Sequence, residues 1–206
     1  MKNIKAIIFD LGGVILNINY QKTVDNFIKL GWKDASLFYS QKKQTSLFDQ
    51  IETGSISDKE FILELKKKTT CNSIKDITTA WNSMLIDLPN NRLNIIKLLK
   101  NKYRIYLLSN TNSIHIEAFK KKIGDIKWEE FYNLFDKMYL SHEIGLRKPD
   151  SEIFNHIIED QKLDAKNIFF IDDSIQHINT AKKLGIKVHH FKEEDKIANL
   201  FPGIAQ

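Results

Sequence analysis

Three short apolar runs in this chain each end beside residues that can hold an anion or a metal ion, and a fourth segment carries a lysine. The first covers residues 6–9 and is followed directly by Asp10 and, one residue later, by Gly12 and Gly13. Four apolar residues with no polar alternation are typical of a strand buried on both faces of a parallel sheet. Ligands bind such sheets beyond the carboxyl ends of their strands, so we expect Asp10 to lie where chemistry takes place.

Polar groups of complementary types follow the later runs. The second run ends in Ser109 and Asn110, whose hydroxyl and amide groups are suited to anchoring an anion beside a helix start. The last run ends in Asp172 and Asp173, and between these segments Lys148 stands just before a proline that can open a helix. An anion anchor, a lysine and carboxylates from two strands together predict a site for a phosphate group and a hard divalent cation.

Taken in chain order, these segments resemble the four motifs of the haloacid dehalogenase superfamily, and the match spans nearly the whole chain. The chain is similar to the phosphatase branch of that superfamily, in which a helical cap is inserted after the first strand. Within the branch it most resembles the α-D-glucose-1-phosphate phosphatase-like subgroup. The loops that carry this likeness read D-L-G-G-V, L-S-N-T, G-L-R-K-P and I-D-D-S.

The resemblance implies a role for each group that would meet the phosphate. Asp10 is implied as the nucleophile, which forms an aspartyl-phosphate, and Lys148 as its catalytic partner. Ser109, Asn110 and Lys148 are implied to bind the phosphoryl oxygens of the substrate. The substrate is then a small phosphorylated metabolite, and a phosphate monoester is a dianion whose charge must be cancelled before a carboxylate can attack it.

The resemblance also implies a Mg²⁺ cofactor. Its ligands would be Asp10, the backbone carbonyl of Gly12, and Asp172 and Asp173. Which member of the acidic pair ligates the metal directly stays open.

Gly12 departs from the pattern of most phosphatases of the superfamily. They carry a second aspartate at this position, which acts as general acid for the leaving group. Glycine cannot transfer a proton, and a positioned general acid is worth roughly 10²–10⁴ in rate. We therefore expect an activated phosphate ester, such as a sugar 1-phosphate. We also expect that Gly12 can adopt a positive φ, which aspartate would adopt only at some cost.

Two alternative functions are also compatible with the absence of an aspartate at position 12. Haloacid dehalogenases also lack it, because displacing a halide from carbon needs neither an acid nor a metal. A non-catalytic module could keep the fold to bind a phosphorylated ligand. The acidic pair beside Ser109 and Lys148 favours phosphate and Mg²⁺ over a halide, and the presence of Asp10 favours catalysis.

Strand and helix patterns alternate along the second half of the chain. They predict strands at residues 105–108, 168–171 and 188–191, and helices at residues 93–99, 114–123, 151–159 and 175–184. Such alternation predicts an α/β fold: a doubly wound, Rossmann-like parallel sheet with helices on both faces. Residues 1–17 and 89–206 are predicted to form this core domain.

Residues 18–88 are predicted to form an inserted all-α cap domain. Ser57 and Glu60 have the spacing of a capping box at a helix start. The cap of the family closes over the active site and reads the organic half of the ester. Candidate residues for that contact are Glu52, Phe48 and Trp81, the last of which more often belongs to a core.

Composition and charge argue against a nucleic-acid partner, a disulfide and a membrane span. The net charge of +5 and the pI near 9.1 come from lysines dispersed on predicted helix faces, so we expect no nucleic-acid partner. A single cysteine, Cys71, excludes an internal disulfide and fits a reducing cytosol. No apolar run approaches 18 residues and residues 1–4 lead directly into the first strand, so we expect a cytoplasmic protein without a signal peptide or membrane partner. The oligomeric state stays open.

Overall fold

The computed structural model describes residues 3–38 and 46–203. Five of its strands form one parallel sheet in the order β5-β4-β1-β6-β7, and β2 and β3 form a separate antiparallel pair. The strands are β1 (Ala6–Phe9), β2 (Asn17–Ile18), β3 (Leu85–Asp87), β4 (Arg104–Ser109), β5 (Lys137–Leu140), β6 (Ile168–Asp172) and β7 (Lys187–His190).

Helices cover both faces of the sheet, as the alternation predicts. Ile7 and Phe9 of β1 pack into one apolar cluster, and Ala6 and Ile8 pack into another on the opposite face. The doubly wound α/β fold is thus confirmed. The helices are α1 (Tyr20–Lys29), α2 (Ala35–Phe38), α3 (Ser46–Glu52), α4 (Asp58–Lys67), α5 (Ile74–Asn82), α6 (Asn90–Lys100), α7 (Ser113–Ile123), α8 (Asp125–Tyr132), α9 (Ser141–Ile144), α10 (Ser151–Asp160) and α11 (Ile175–Lys183).

Among the described residues, the segment between β2 and β3 contributes five helices, α1 to α5, before the chain returns to the sheet. Ser57 caps α4 as predicted: its Oγ accepts from Glu60 N at 3.2 Å, and Glu60 Oε2 accepts from Ser57 N at 2.9 Å. The sequence does not predict the β2–β3 pair, which joins the two ends of this segment through Asn17 Nδ2 and Asp87 Oδ1 at 3.0 Å.

The helices of this segment rest on the start of α7, which follows the second motif. Trp81 of α5 stacks on His115, with ring centroids 4.5 Å apart. Asp58 of α4 accepts a hydrogen bond from Ser113. A methyl group added at Gly54 would collide with the backbone carbonyl of His142, so this turn lies directly against α9. These contacts place α3, α4 and α5 over the carboxyl edge of the sheet.

Across the described ranges, no helix is both long and apolar enough to cross a membrane.

Candidate active site

Three neighbouring strands deliver polar side chains to one edge of the sheet. Asp10 follows β1 directly, and its backbone N–H donates to Ile171 O of β6 at 2.9 Å. Ser109 is the last residue of β4 and Asp172 is the last residue of β6. Because β4, β1 and β6 run parallel side by side, these groups meet at one point. The structure therefore brings together residues that lie up to 162 positions apart, from Asp10 to Asp172.

Lys148 lies at the centre of the site and is only 1% exposed. Its Nζ donates to Asp10 Oδ1 at 2.8 Å, to Asp172 Oδ2 at 2.6 Å and to Leu108 O at 3.0 Å. Burial lowers the pKa of Lys148, but the carboxylates of Asp10 and Asp172 outweigh burial and raise it overall. The lysine is therefore a fixed positive charge beside Asp10.

Asn110 holds the backbone of Lys148 in place. Its Nδ2 donates to Lys148 O at 2.8 Å, and its Oδ1 accepts from Lys148 N at 2.9 Å. Sequence reasoning assigns Asn110 only to substrate binding and misses this positioning contact. Ser109, 3% exposed, lines the same cavity as Asp10.

The two buried carboxylates differ in their hydrogen bonds. Asp172 Oδ1 accepts from Ser174 N at 2.7 Å and lies 2.9 Å from His177 Nδ1. Burial raises the pKa of Asp172, but Lys148 and His177 lower it by more, to about 2. Burial raises the pKa of Asp10 above its ordinary value, and Lys148 only partly offsets this rise.

Asp10, Asp172 and the half-buried Asp173 can each turn one oxygen into a common space, with these atoms all within 4.8 Å of one another. The single positive charge of Lys148 does not balance three carboxylates. Oxygen ligands with an excess of negative charge are what Mg²⁺ prefers, so the residues present fit this ion. Gly12, whose carbonyl is the fourth predicted ligand, also lines the cavity.

The backbone conformations of Gly12 and Gly13 differ from those expected from the sequence. Gly13, and not Gly12, has a positive φ, at 74°. A methyl group added at Gly13 would collide with the carboxylate of Asp173. At Gly12 an added methyl group would meet only the far end of Ile18, with Cδ1 at 2.8 Å. The expectation of a strained Gly12 is therefore wrong, because the turn places its left-handed residue one position later.

The cavity above Asp10 is small, at about 90 Å³, and the inserted segment forms part of its wall. Glu52 lines it as predicted, together with Tyr20 and Leu85. Phe48 and Trp81 do not line it: they are 1% and 3% exposed and stack on each other, with ring centroids 5.6 Å apart. Phe48 is therefore not the substrate contact that the sequence offered as a candidate, and Trp81 belongs to the core between helices, which is the role that the sequence favoured for it.

Two further wall residues were not foreseen. Arg147 pairs through Nη2 with Glu52 Oε2 at 2.8 Å and also contacts Asp49, and so connects the loop of Lys148 to α3. His115 enters the wall from the first turn of α7. Neither role has a signal in the sequence, because each depends on partners that lie far away along the chain.

A model of the haloacid dehalogenase-like hydrolases matches residues 4–185. The chain belongs to this family. The D-ribitol-5-phosphate phosphatase of Bacteroides thetaiotaomicron is 33% identical over 187 residues, which cover 89% of this chain and 90% of that protein. Family membership, predicted from the four motifs, is thus confirmed, and the chain is a hydrolase.

Solved structures of family members have the same fold over nearly the full chain. A HAD family enzyme from Bacteroides thetaiotaomicron, crystallised as an aspartate-to-alanine variant with magnesium and inorganic phosphate, has a TM-score of 0.90 and 35% identity, covering 96% of this chain and 98% of that one. A HAD-like family hydrolase from Porphyromonas gingivalis has a TM-score of 0.85 and 28% identity, covering 96% of each chain.

Proposed function

We propose that this hydrolase is a Mg²⁺-dependent phosphatase that cleaves a small phosphorylated metabolite through an aspartyl-phosphate on Asp10. The observation that carries the proposal is the contact of the buried Lys148 with both Asp10 and Asp172, at 2.8 and 2.6 Å, at the edge of the sheet. It holds a carboxylate and a cation where a phosphate can enter. The names of the phosphatase relative and of the structure with magnesium and phosphate support the same chemistry.

The first step forms a bond between Asp10 and phosphorus. Lys148 binds Oδ1 of Asp10 and keeps it oriented, so Oδ2 is the oxygen that remains for attack. The bond between phosphorus and the ester oxygen breaks, and that oxygen takes up a proton from solvent water as the alcohol leaves. Water then attacks the aspartyl-phosphate, which releases inorganic phosphate and restores Asp10. Lys148 and Ser109 stabilise the phosphoryl oxygens in both steps. A bound Mg²⁺ would cancel charge between carboxylate and phosphate.

For the organic half of the substrate we infer a small hydroxylated group. The wall of the cavity includes polar side chains from both parts of the protein, such as Tyr20, Glu52 and Arg147, which suit hydroxyl groups better than an apolar chain. The relative that acts on ribitol 5-phosphate supports a polyol phosphate.

A sugar 1-phosphate is the second candidate, and Gly12 favours it. An anomeric oxygen leaves more easily than a primary alcohol and depends less on a general acid. The likeness to the α-D-glucose-1-phosphate phosphatase-like subgroup points the same way. Relative rates on ribitol 5-phosphate and glucose 1-phosphate decide between the two candidates.

Phosphate release from these two esters, measured with Mg²⁺ and with EDTA, tests the proposal. We expect activity that EDTA abolishes and that Asp10→Asn lowers by at least about 10³-fold, because the amide cannot act as the nucleophile. Asp164→Asn is the matched control, since that side chain is 66% exposed and remote from the cavity. Full activity in Asp10→Asn would contradict the covalent mechanism, and halide release from 2-chloropropionate without Mg²⁺ would identify a dehalogenase instead.

A further inference from the structure

His115 is a buried polar residue in the wall of the active-site cavity that the chemistry at Asp10 leaves without a role. It lies in the first turn of α7, where its backbone N–H donates to the capping Asn112 Oδ1 at 3.0 Å. The residue is 8% exposed, and its ring stacks on Trp81 with centroids 4.5 Å apart. The ring is therefore held in one orientation by both the core and the inserted helices.

The hydrogen bonds of the ring determine which nitrogen carries the proton. Asn82 Oδ1 lies 2.8 Å from His115 Nδ1, and a carbonyl oxygen only accepts, so Nδ1 is the donor. Burial lowers the pKa of His115 to about 3, so the ring is neutral near pH 7. Nε2 then carries a lone pair and acts as an acceptor.

This acceptor has no partner. Nε2 is buried, and no atom of the described residues donates to it. A buried polar atom left unsatisfied is rare in folded proteins and calls for a specific explanation. His115 forms part of the cavity wall, so a molecule bound in the cavity is the candidate for the missing donor.

We propose that His115 Nε2 accepts a hydrogen bond from a hydroxyl group on the organic half of the substrate, so that the substrate is a small phosphorylated polyol or sugar. This inference rests on the proposed phosphatase function and adds a residue that selects the substrate. A neutral acceptor favours a hydroxyl donor, whereas an aryl or prenyl group would leave Nε2 buried and unpaired. Sites built to bind a hydroxyl group reject analogues without it by as much as about 10⁴-fold.

The test replaces the acceptor and keeps the ring. His115→Phe preserves an aromatic ring against Trp81 but removes Nε2. We expect kcat/KM for ribitol 5-phosphate to fall about 10- to 100-fold, the value of one buried hydrogen bond. For p-nitrophenyl phosphate, which offers no hydroxyl donor, we expect a fall at least about fivefold smaller than the fall for ribitol 5-phosphate, since the attack by Asp10 does not use Nε2.

A panel of singly deoxygenated ribitol 5-phosphates identifies the hydroxyl group concerned. One member of the panel should be a poorer substrate of the wild-type protein by about the same factor, and His115→Phe should not discriminate against it further. His115→Gln, which restores an acceptor, should recover part of the activity on ribitol 5-phosphate. His156→Phe, a substitution of the same type on α10, is the matched control and should change neither substrate.

Binding measurements test the role of His115 independently of the phosphatase proposal. Calorimetric titration of Asp10→Asn with ribitol 5-phosphate should show weaker binding when His115→Phe is added, and titration with inorganic phosphate should not. If the wild-type protein bound ribitol 5-phosphate without hydrolysing it, the phosphatase proposal alone would fail. If His115→Phe lowered activity equally on both esters, or on neither, or if no hydroxylated phosphate bound, the role of His115 would be overturned.

Discussion

Gly12 lies where the superfamily pattern leads us to expect a proton donor, and its environment makes the effect of restoring one testable. Its φ is not in the left-handed region, and an added Cβ would meet only the flexible end of Ile18. We expect Gly12→Asp to fold and to assist poor leaving groups more than good ones, by up to roughly 10²–10⁴-fold. Rates across a series of phosphate esters of rising leaving-group pKa measure this, with Gly12→Ala as the control for bulk. An unchanged slope in Gly12→Asp would show that another residue already supplies the proton.

Gly13 presents the opposite case, because it needs both its φ of 74° and its missing side chain. A methyl group there would displace the carboxylate of Asp173, one of the three predicted magnesium ligands in the acidic cluster. We expect Gly13→Ala to weaken Mg²⁺ binding and activity by at least about tenfold, the scale reported for disturbing groups around a metal site. Mg²⁺ titration of activity measures this effect.

Gly124→Ala provides the control for Gly13→Ala. Gly124 has a φ of 82° and a ψ of 158° but open space around it, so the substitution isolates backbone strain, which costs about 1–3 kcal/mol of unfolding free energy. Equal losses of Mg²⁺ affinity in the two variants would mean that the contact with Asp173 is unimportant.

Residue types and their order along the chain predict the groups around Asp10 but not how each is held. Asp172 and Lys148 could be placed at one sheet edge because each follows a strand or precedes a helix. The contacts of Asn110 with Lys148 and of His115 with Asn82 could not, since they join segments tens of residues apart. The close approach of Asp173 to Gly13 could not be predicted for the same reason.

At the level of elements, α3 is the part of the inserted segment that connects to the catalytic loop. Glu52, at its last position, pairs with Arg147, which immediately precedes Lys148. We therefore expect the segment from Phe48 to Gly54 to determine the order in which substrates are preferred. Glu52→Gln should change that order and leave the buried aromatic residues in place.

The ratio of kcat/KM on ribitol 5-phosphate to that on p-nitrophenyl phosphate should change about tenfold in Glu52→Gln, equivalent to about 1.4 kcal/mol. Glu64→Gln, on the exposed face of α4, is the matched control. A ratio equal to that of the wild-type protein would place recognition of the organic half in the core domain.

Apolar periodicity predicts the long elements and misses the short ones. The strands at residues 105–108 and 168–171 and the helix at residues 151–159 occur within one or two residues of the expected bounds. Two-residue strands such as β2 contain too few positions for any period to show. The prediction also omits α8, where Ile126 is 82% exposed and breaks the apolar stripe.

For the whole molecule, His115 couples stability to pH. Its pKa is about 3 in the folded protein and near 6.5 in an unfolded chain, so the unfolded state binds the proton more tightly. The stabilisation is complete above about pH 6.5 and is lost as the pH falls towards 3. We expect wild-type protein to lose about 2 kcal/mol more unfolding free energy than His115→Phe between pH 7 and pH 5.

Urea unfolding of both proteins at pH 7, 6 and 5 measures this difference. Carboxylates such as Asp172 also titrate at low pH, but they are common to both proteins and cancel in the comparison. Parallel loss of stability in the two proteins would show that His115 is not buried in its neutral form in solution.

The β2–β3 pair has a consequence for how such a protein can diversify. The inserted helices leave the sheet at Asn17 and return at Asp87, and a side-chain hydrogen bond of 3.0 Å joins these two points. Entry and exit are therefore adjacent, so the order of the strands in the sheet does not depend on the length of the segment between them. Changes that lengthen, shorten or exchange the intervening segment therefore leave the strand order intact, but they alter the contacts that Glu52 and Trp81 make with the loops around Asp10. Grafting a foreign insert at this junction is thus a practical route to enzymes with new substrates.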